Sequence, residues 1–304
     1  MSLSGGSPTM ATKGGKREAV KGFFKDLLFP IPKATAPDAA LEFASTCFFP
    51  TEFHKVPLIQ VKDVNYDTKV FTFGLPEGVS LDLPVCACLL VQGFDDSGEA
   101  AIRPYTPTSS NDQKGSFDLM VKIYEKGVVS QWLNHLKVGT MVGFKHIAFN
   151  IKSPYPFAGK TKINMICGGT GITPMYQALH KIVNTPGDTL EVTLLCGNRS
   201  PADILLRKEL ATAVEKSGGR VKVVHVVGDK PDMPPIPGWT GELGWVDEEK
   251  VKKHCFAPAS DVLTLVCGVP GLYDVMCGPR TEPEVKAGSV LYKLGYTKEM
   301  VSKM

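Results

Sequence analysis

No run of about 18 consecutive apolar residues occurs in the chain, so a helix long and apolar enough to cross a bilayer is not expected. C-x-x-C pairs are also missing: Cys86 and Cys88 form C-x-C, and none of the six histidines stands near them at a ligand spacing. This argues against a zinc site and against an iron-sulfur cluster carried on the same chain. The formal net charge of +3 is too small to imply nucleic acid, and no segment reads as a nucleic-acid module.

What is present is a globular composition, 43% hydrophobic over 304 residues, which is room for two ordinary domains. Eight cysteines, Cys47, Cys86, Cys88, Cys167, Cys196, Cys255, Cys267 and Cys277, mostly fall in apolar strand-like runs, as expected of free buried thiols in a reducing compartment. From Val56 to about Ile151, short β-rich runs such as "VCACLLVQG", "AAIRPYTP", "SFDLMVKIYE" and "TMVGFKHIAF" alternate with turn residues, predicting an antiparallel barrel with one helical insertion, "VVSQWLNHL". After Pro154 strands alternate with helices ("KINMIC" then "TPMYQALHKIVN", "LEVTLLC" then "ADILLRKELATAVEKSG"), which predicts a parallel sheet covered on both faces. The expected organisation is an N-terminal extension over 1–50, a barrel over 51–155 and an α/β domain over 156–304.

Three stretches carry chemistry. "AIRPYTPTSS" holds Arg103 and Tyr105 around two prolines, which fix φ and remove backbone donors, so a cation and a ring are presented from stiff extended backbone. In "KINMICGGTGITPM" a strand runs into a glycine turn and a helix; Gly168, Gly169 and Gly171 permit close ligand approach, Thr170 and Thr173 offer hydroxyls, and Pro174 suits a first helical turn. The turn is neither a G-x-G-x-x-G fingerprint nor a P-loop, and alone reads equally as structural. "LTLVCGVPGLYDVM" repeats the design with Cys267, Gly268 and Pro270, and both turns should fall outside the carboxyl ends of the strands, where open α/β sheets bind ligands. For Cys267 by itself a buried core thiol is an equal reading. "CGPR" at 277–280 looks similar but follows helix-like sequence and is set aside. "FDLMVKIY" puts Asp118, Met120, Lys122 and Tyr124 on one strand face, and "KGVVSQWL" places a helix start after Gly127.

Taken in order and spacing, "RPYTP", "DLMVKIY", "KGVVSQWL", "CGGTGITPM", "NRSPADILL" and "VCGVPG" resemble the ferredoxin-NADP reductase superfamily, and within it the NADH-cytochrome b5 reductase family. The ending "SVLYKLGYTKEMVSKM" is similar to the plant and fungal mitochondrial-type enzymes, and "FKHIAFNIK" to protozoan ones. The resemblance implies FAD on the barrel, with Arg103 at the pyrophosphate, Tyr105 beside the isoalloxazine and Thr106 at its redox-active edge. Pro104, Met120, Lys122, Tyr124, Gly127, Val128, Val129 and Ser130 complete the implied FAD set, with Thr173 reaching from the second domain. It implies NADH beside Gly168, Gly169, Thr170, Gly171, Asp229, Cys267, Gly268 and Pro270, with Thr106 and Cys267 nearest the chemistry.

The implied activity is transfer of a hydride from NADH to FAD, then of single electrons to a haem protein, cytochrome b5, by a monomer. A sibling reductase serving a ferredoxin, flavodoxin or quinone is the nearest alternative, and a non-enzymatic nucleotide-binding protein the remote one. Three departures stand out: Gly228, with Asp229 next to it, where the family has a ribose-binding Asp or Asn; Val269 for proline; and Val129 for methionine. The first predicts a reduced margin of NADH over NADPH. In "REAVKGFFKDLLF", Ala19, Val20, Phe23, Phe24, Leu27 and Leu28 recur at helical spacing among Lys21, Lys25 and Asp26, a pattern that packs on the protein itself or rests on an anionic membrane. The expected location is intracellular, mitochondrial or at the cytoplasmic or endoplasmic reticulum surface.

Overall fold

The computed structural model describes residues 47–147, 151–228, 230 and 234–304. The N-terminal amphipathic stretch and Asp229 lie outside the described residues.

The first domain is built from β1 (His54–Asp63), β2 (Thr68–Gly74), β3 (Leu89–Phe94), β4 (Ala100–Tyr105), β5 (Ser116–Lys122) and β6 (Met141–His146), all antiparallel in the order β4-β3-β6-β1-β2-β5. Strand β1 serves two partners: its first residues pair with β6, its later ones with β2, and the register slips between Leu58 and Gln60. Such a slip bends the strand, which lets the sheet curl. The curl is visible in the core, where Phe144 of β6 meets Phe73 of β2 at 4.7 Å and Phe117 of β5 at 5.2 Å, although β5 and β6 are not neighbours in the sheet. Alternation drives this packing, because Phe71 and Phe73 on β2 and Phe117, Leu119 and Val121 on β5 all point inward and are buried. Helix α1 (Val128–Asn134) packs on β3 through Val129 and Trp132.

The second domain is a parallel sheet of β7 (Lys162–Gly168), β8 (Glu191–Asn198), β9 (Val221–Val227), β10 (Glu242–Leu243), β11 (Val262–Cys267) and β12 (Val301–Lys303), in the order β10-β9-β8-β7-β11-β12. Its central strands are near-continuous apolar runs because both faces are covered. Helices α2 (Ile172–Asn184) and α3 (Arg207–Lys216) cover one face, α2 through the stripe Ile172, Met175, Ala178, Leu179 and Ile182. On the other face lie α4 (Glu248–His254), α5 (Pro270–Met276) and α6 (Val290–Lys293).

Several expectations need correction. Only Cys167, Cys196 and Cys267 lie in strands. The C-x-C pair precedes β3 in a turn, with Cys86 at φ +65°, and the run "VCACLLVQG" becomes strand only from Leu89. The helix expected over "ADILLRKELATAVEKSG" starts at Arg207, after a 3-10 turn at Pro201–Asp203 and a left-handed Leu206. Strands β10 and β12 have no counterpart in the pattern read from sequence, being too short to show a period. Among the described residues no helix is long and apolar enough to cross a membrane, and no cluster of three His, Cys, Asp or Glu is placed to hold a metal ion.

The two domains share one apolar cluster: Cys86 and Met120 of the barrel are buried with Cys167, Ile172 and Met175 of the second domain, and Val70 and Val85 pack against it. The backbone N–H of Cys86 donates to Gln177 Oε1 on α2 at 2.7 Å.

Candidate functional site

Strand β4 is an edge of its sheet, which is where a proline can sit without breaking a ladder bond. It pairs with β3 so that Arg103 is opposite Val91, Pro104 opposite Leu90 and Tyr105 opposite Leu89. The Arg103 guanidinium donates to the carbonyl of Ile102 at 2.8 Å. Burial pushes the Tyr105 phenol up to about 12, the Arg103 charge offsetting only part of it, so the ring presents a protonated hydroxyl at neutral pH. Thr106 follows at the strand's end.

On β5, Met120 and Lys122 share the face away from the barrel core, as the alternation requires, but their surroundings differ. Met120 is buried under the second domain, whereas Lys122 Nζ lies 2.5 Å from Asp67 Oδ2 and 3.9 Å from Asp203 Oδ1. Tyr124 lies beyond the strand and is 46% exposed. The turn that follows is held by Ser130, whose Oγ accepts from the Tyr124 N–H at 3.2 Å and donates to the Gly127 carbonyl at 3.1 Å. Ser130 is therefore buried in turn-making. A Cβ on Gly127 would come within 2.4 Å of its Oγ. Gly127 is the N-cap of α1 and supplies no side-chain cap, so the first amides of the helix, those of Val128 and Val129, take no bond from a capping side chain.

In the second domain β7 ends at Gly168 and passes through a 3-10 turn, Gly169–Gly171, into α2. Gly169 has φ +53° with open space where a side chain would project, leaving room for a ligand against the backbone. Thr170 stands at the centre of that turn, and Thr173, buried, donates its hydroxyl to the Thr170 carbonyl at 3.1 Å. β11 lies beside β7 with Cys267 opposite Cys167, so the second turn abuts the first: a Cβ on Gly171 would stand 2.2 Å from the Cys267 carbonyl oxygen, and one on Gly268 would stand 3.4 Å from the Gly168 nitrogen. Pro270 opens α5. Strand β5 of the barrel lies against the 3-10 turn Gly169–Gly171. The structure thus gathers Met120, Lys122, the Gly168–Gly171 turn and the Cys267–Gly268 turn at one junction.

The Cys267 thiol is pushed up by burial, with the Tyr273 hydroxyl and the Arg280 charge pulling the other way. A thiol held protonated is a poor nucleophile, so packing against a ligand is what it offers. Gly228 follows β9 at φ +156°, a conformation that L side chains rarely adopt, and donates its N–H to Asn198 at 2.9 Å. An Asp or Asn at 228 would be strained in this backbone conformation.

Four residues at the junction carry no mark in the sequence. Gln177 and Tyr66 bridge the domains, and no local pattern marks them. Asp203 lies inside "NRSPADILL", where no local pattern gives it a role. Arg280 belongs to the segment set aside as a false copy. It forms no second glycine turn, yet its charge acts on both Cys267 and Cys88.

The donor set suits a flavin dinucleotide and a pyridine dinucleotide. It combines a guanidinium and an uncapped helix start on the barrel with two glycine turns at adjacent strand ends. The sequence matches the family described as Oxidoreductase FAD-binding domain over residues 55–148 and that described as Oxidoreductase NAD-binding domain over 165–278. It is 36% identical over 290 residues to NADH-cytochrome b5 reductase 2 of Scheffersomyces stipitis, covering 91% of this chain and 95% of that one. An NADH-cytochrome b5 reductase-like protein of Arabidopsis thaliana is 35% identical, with 85% and 78% covered. Among solved structures, the cytochrome b5 reductase domain of Ulva prolifera nitrate reductase aligns with a TM-score of 0.70 at 29% identity, over 86% of this chain and all of that one. A ferredoxin NADP+ reductase from Neisseria gonorrhoeae, at 17% identity and TM-score 0.63 over 83% of this chain and 98% of that one, shares the fold.

Proposed function

Because the chain belongs to the NADH-cytochrome b5 reductase family, we propose that it oxidises NADH through FAD and passes single electrons to cytochrome b5. The observation that carries this is the meeting of β5 with the two abutting glycine turns, which brings a flavin strand and a nucleotide turn to one junction. FAD, when bound, supplies the conversion of a two-electron donor into one-electron steps.

The protein's own part is holding and orienting. Arg103 suits a pyrophosphate as a charge-assisted donor, Tyr105 offers a ring and a protonated hydroxyl, and Thr106 a hydroxyl at the end of β4. Pro104 keeps that strand stiff. Lys122, Tyr124, Gly127 and the amides of Val128 and Val129 frame the remainder of the flavin site, with Ser130 holding its turn and Met120 and Thr173 its floor. Gly168, Gly169, Thr170 and Gly171, with Cys267, Gly268 and Pro270, frame the nicotinamide side, and the role of ribose contact is assigned to Asp229. NADH is the better donor by a modest margin, since glycine stands at 228.

The purified protein should carry FAD, bleach on NADH more readily than on NADPH, and reduce cytochrome b5. Arg103→Ala should lose its flavin on gel filtration while the wild type keeps it. A protein that cannot be reconstituted with FAD ends the reading, and faster reduction of a ferredoxin, flavodoxin or quinone than of cytochrome b5 replaces the acceptor.

Cys267→Ala should retain FAD and show a slower bleaching step, by about 1–3 kcal/mol in barrier, from imperfect donor alignment. Stopped-flow absorbance reads that step, and an unchanged rate returns Cys267 to a core thiol.

We further propose that the protein acts as an intracellular monomer, mitochondrial or at the cytoplasmic or endoplasmic reticulum surface, where the apolar residues between Ala19 and Leu28 either pack on the protein itself or meet anionic lipid. Flotation with anionic liposomes should separate the full chain from one beginning at Pro50; equal behaviour removes the membrane role.

A further inference from the structure

The turn between β1 and β2, residues 64–67, reaches across to the 3-10 turn Pro201–Asp203 that follows β8. Asn65 Nδ2 donates to the Ala202 carbonyl at 3.4 Å, and the Tyr66 hydroxyl donates to Asp203 Oδ1. The second carboxylate oxygen of Asp203 accepts from Ser200 Oγ at 2.7 Å, which fixes the carboxylate plane on its own domain. From the barrel side Lys122 Nζ approaches the same carboxylate at 3.9 Å, anchored by Asp67 at 2.5 Å and lying 5.8 Å from the Tyr66 ring centre. Asp203 is only 8% exposed although it sits in a turn, whereas Tyr66 is 69% exposed. Burial alone would raise the Asp203 pKa; the hydrogen bonds from Tyr66 and Ser200 and the charges of Lys122 and Arg199 outweigh it and keep the group ionised.

We propose that Tyr66 and Asp203 are positioning residues for Lys122, forming a clasp between the domains that sets how closely β5 lies against the nucleotide turn Gly169–Gly171. This rests on the function proposed above. Asp67 and Lys122 belong to the same domain and cannot fix the gap between domains; Asp203 can, because it takes one contact from Tyr66 and one from Lys122 across it. Lys122 ends the strand that touches Gly169–Gly171, so a shift of the clasp is passed to the nucleotide turn through one rigid element. Transfer between two bound dinucleotides depends steeply on their separation, whereas each binds mostly within its own domain. The clasp therefore acts on the rate at saturating NADH more than on affinity.

The test is stopped-flow bleaching of the FAD-loaded protein over a range of NADH concentrations, for wild type, Tyr66→Phe, Asp203→Asn and the double variant. Tyr66→Phe removes one exposed hydroxyl and keeps the ring, so the fold is not at issue. Each single variant should keep its FAD and lose about five- to tenfold in limiting rate, with half-saturation changed by less than about twofold. The double variant should be no slower than the slower single, since both act through one contact. Salt should slow the wild type more than Asp203→Asn, because the Lys122 pair to Asp203 is gone in the variant. A limiting rate for Tyr66→Phe within about twofold of wild type, or multiplicative losses in the double variant, overturns the clasp. A wild type that NADH does not bleach overturns instead the function on which it rests.

Discussion

Replacing Gly171 with alanine should slow NADH-driven flavin reduction by at least about a hundredfold while leaving FAD bound, since a displacement of about 1 Å at a reacting site has an effect of that order. The added methyl would stand 2.2 Å from the Cys267 carbonyl oxygen, 2.6 Å from its carbon and 2.9 Å from the Gly268 nitrogen. These are backbone atoms and cannot rotate away, so one of the two nucleotide turns must move. Gly171 itself has helical φ, −60°, so alanine meets no backbone objection there and the effect isolates the close approach. Overpacking of this kind also destabilises, typically by about 1–3 kcal/mol and occasionally more. Gly169→Ala is the contrasting variant. Its methyl meets no protein atom but enters the space left for the nucleotide, so it should weaken NADH binding without moving either turn, at a left-handed penalty of about 1–2 kcal/mol from φ +53°. A Gly171→Ala protein reduced at the wild-type rate would show that the turns are not the nucleotide site.

Asn164→Leu should lower the stability of the α/β domain by about 3–4 kcal/mol, near the top of what single substitutions do. Asn164 sits in the middle of β7 and is fully buried. Its Oδ1 accepts from the Phe256 N–H at 2.8 Å and its Nδ2 donates to the Phe256 carbonyl at 3.0 Å, so it completes both backbone groups of a residue just past α4. The same Nδ2 lies 3.3 Å from Thr264 Oγ1 and 3.4 Å from the Tyr296 hydroxyl, which itself donates to the Phe256 carbonyl at 2.5 Å. Leucine has a similar volume but leaves the Phe256 N–H without its acceptor, and a buried donor without an acceptor costs about 1–3 kcal/mol by itself. Urea denaturation followed by tryptophan fluorescence measures the loss. Asn164→Asp keeps the acceptor for the Phe256 N–H but turns a donor toward the carbonyl into a second acceptor, and should be no better than leucine. A leucine variant as stable as wild type would mean that the Phe256 groups find other partners.

Much of the site could be read in the chain because it consists of short strand-to-turn-to-helix units. "CGGTGITPM" must turn where its glycines are, and the strand before it must be buried because Ile163, Met165, Ile166 and Cys167 suit a sheet covered on two faces. "AIRPYTP" must be stiff because proline is stiff. The antiparallel and parallel halves follow from their different spacings of apolar runs. Local covalent geometry and side-chain period act within a few residues, so sequence determines them.

The rest depended on residues far apart in the chain. Asn164 looks like a flaw in an apolar strand until Phe256, 92 residues on, is beside it. Asp203 meets Tyr66 across 137 residues, and no spacing rule connects them. Gly171 resembles any helix-starting glycine until β11 brings the Cys267 carbonyl into the space a methyl would need. Ser130 offers a hydroxyl on paper, whereas in the fold its proton goes to the Gly127 carbonyl and one lone pair to the Tyr124 N–H. In each case the deciding term is a contact created by strand order and domain packing. Sequence by itself therefore determined the two domain types and the glycine turns at the strand ends, and the tertiary structure decided which polar groups those turns and strands leave unspent, because a buried donor or acceptor must find its partner wherever the fold brings one.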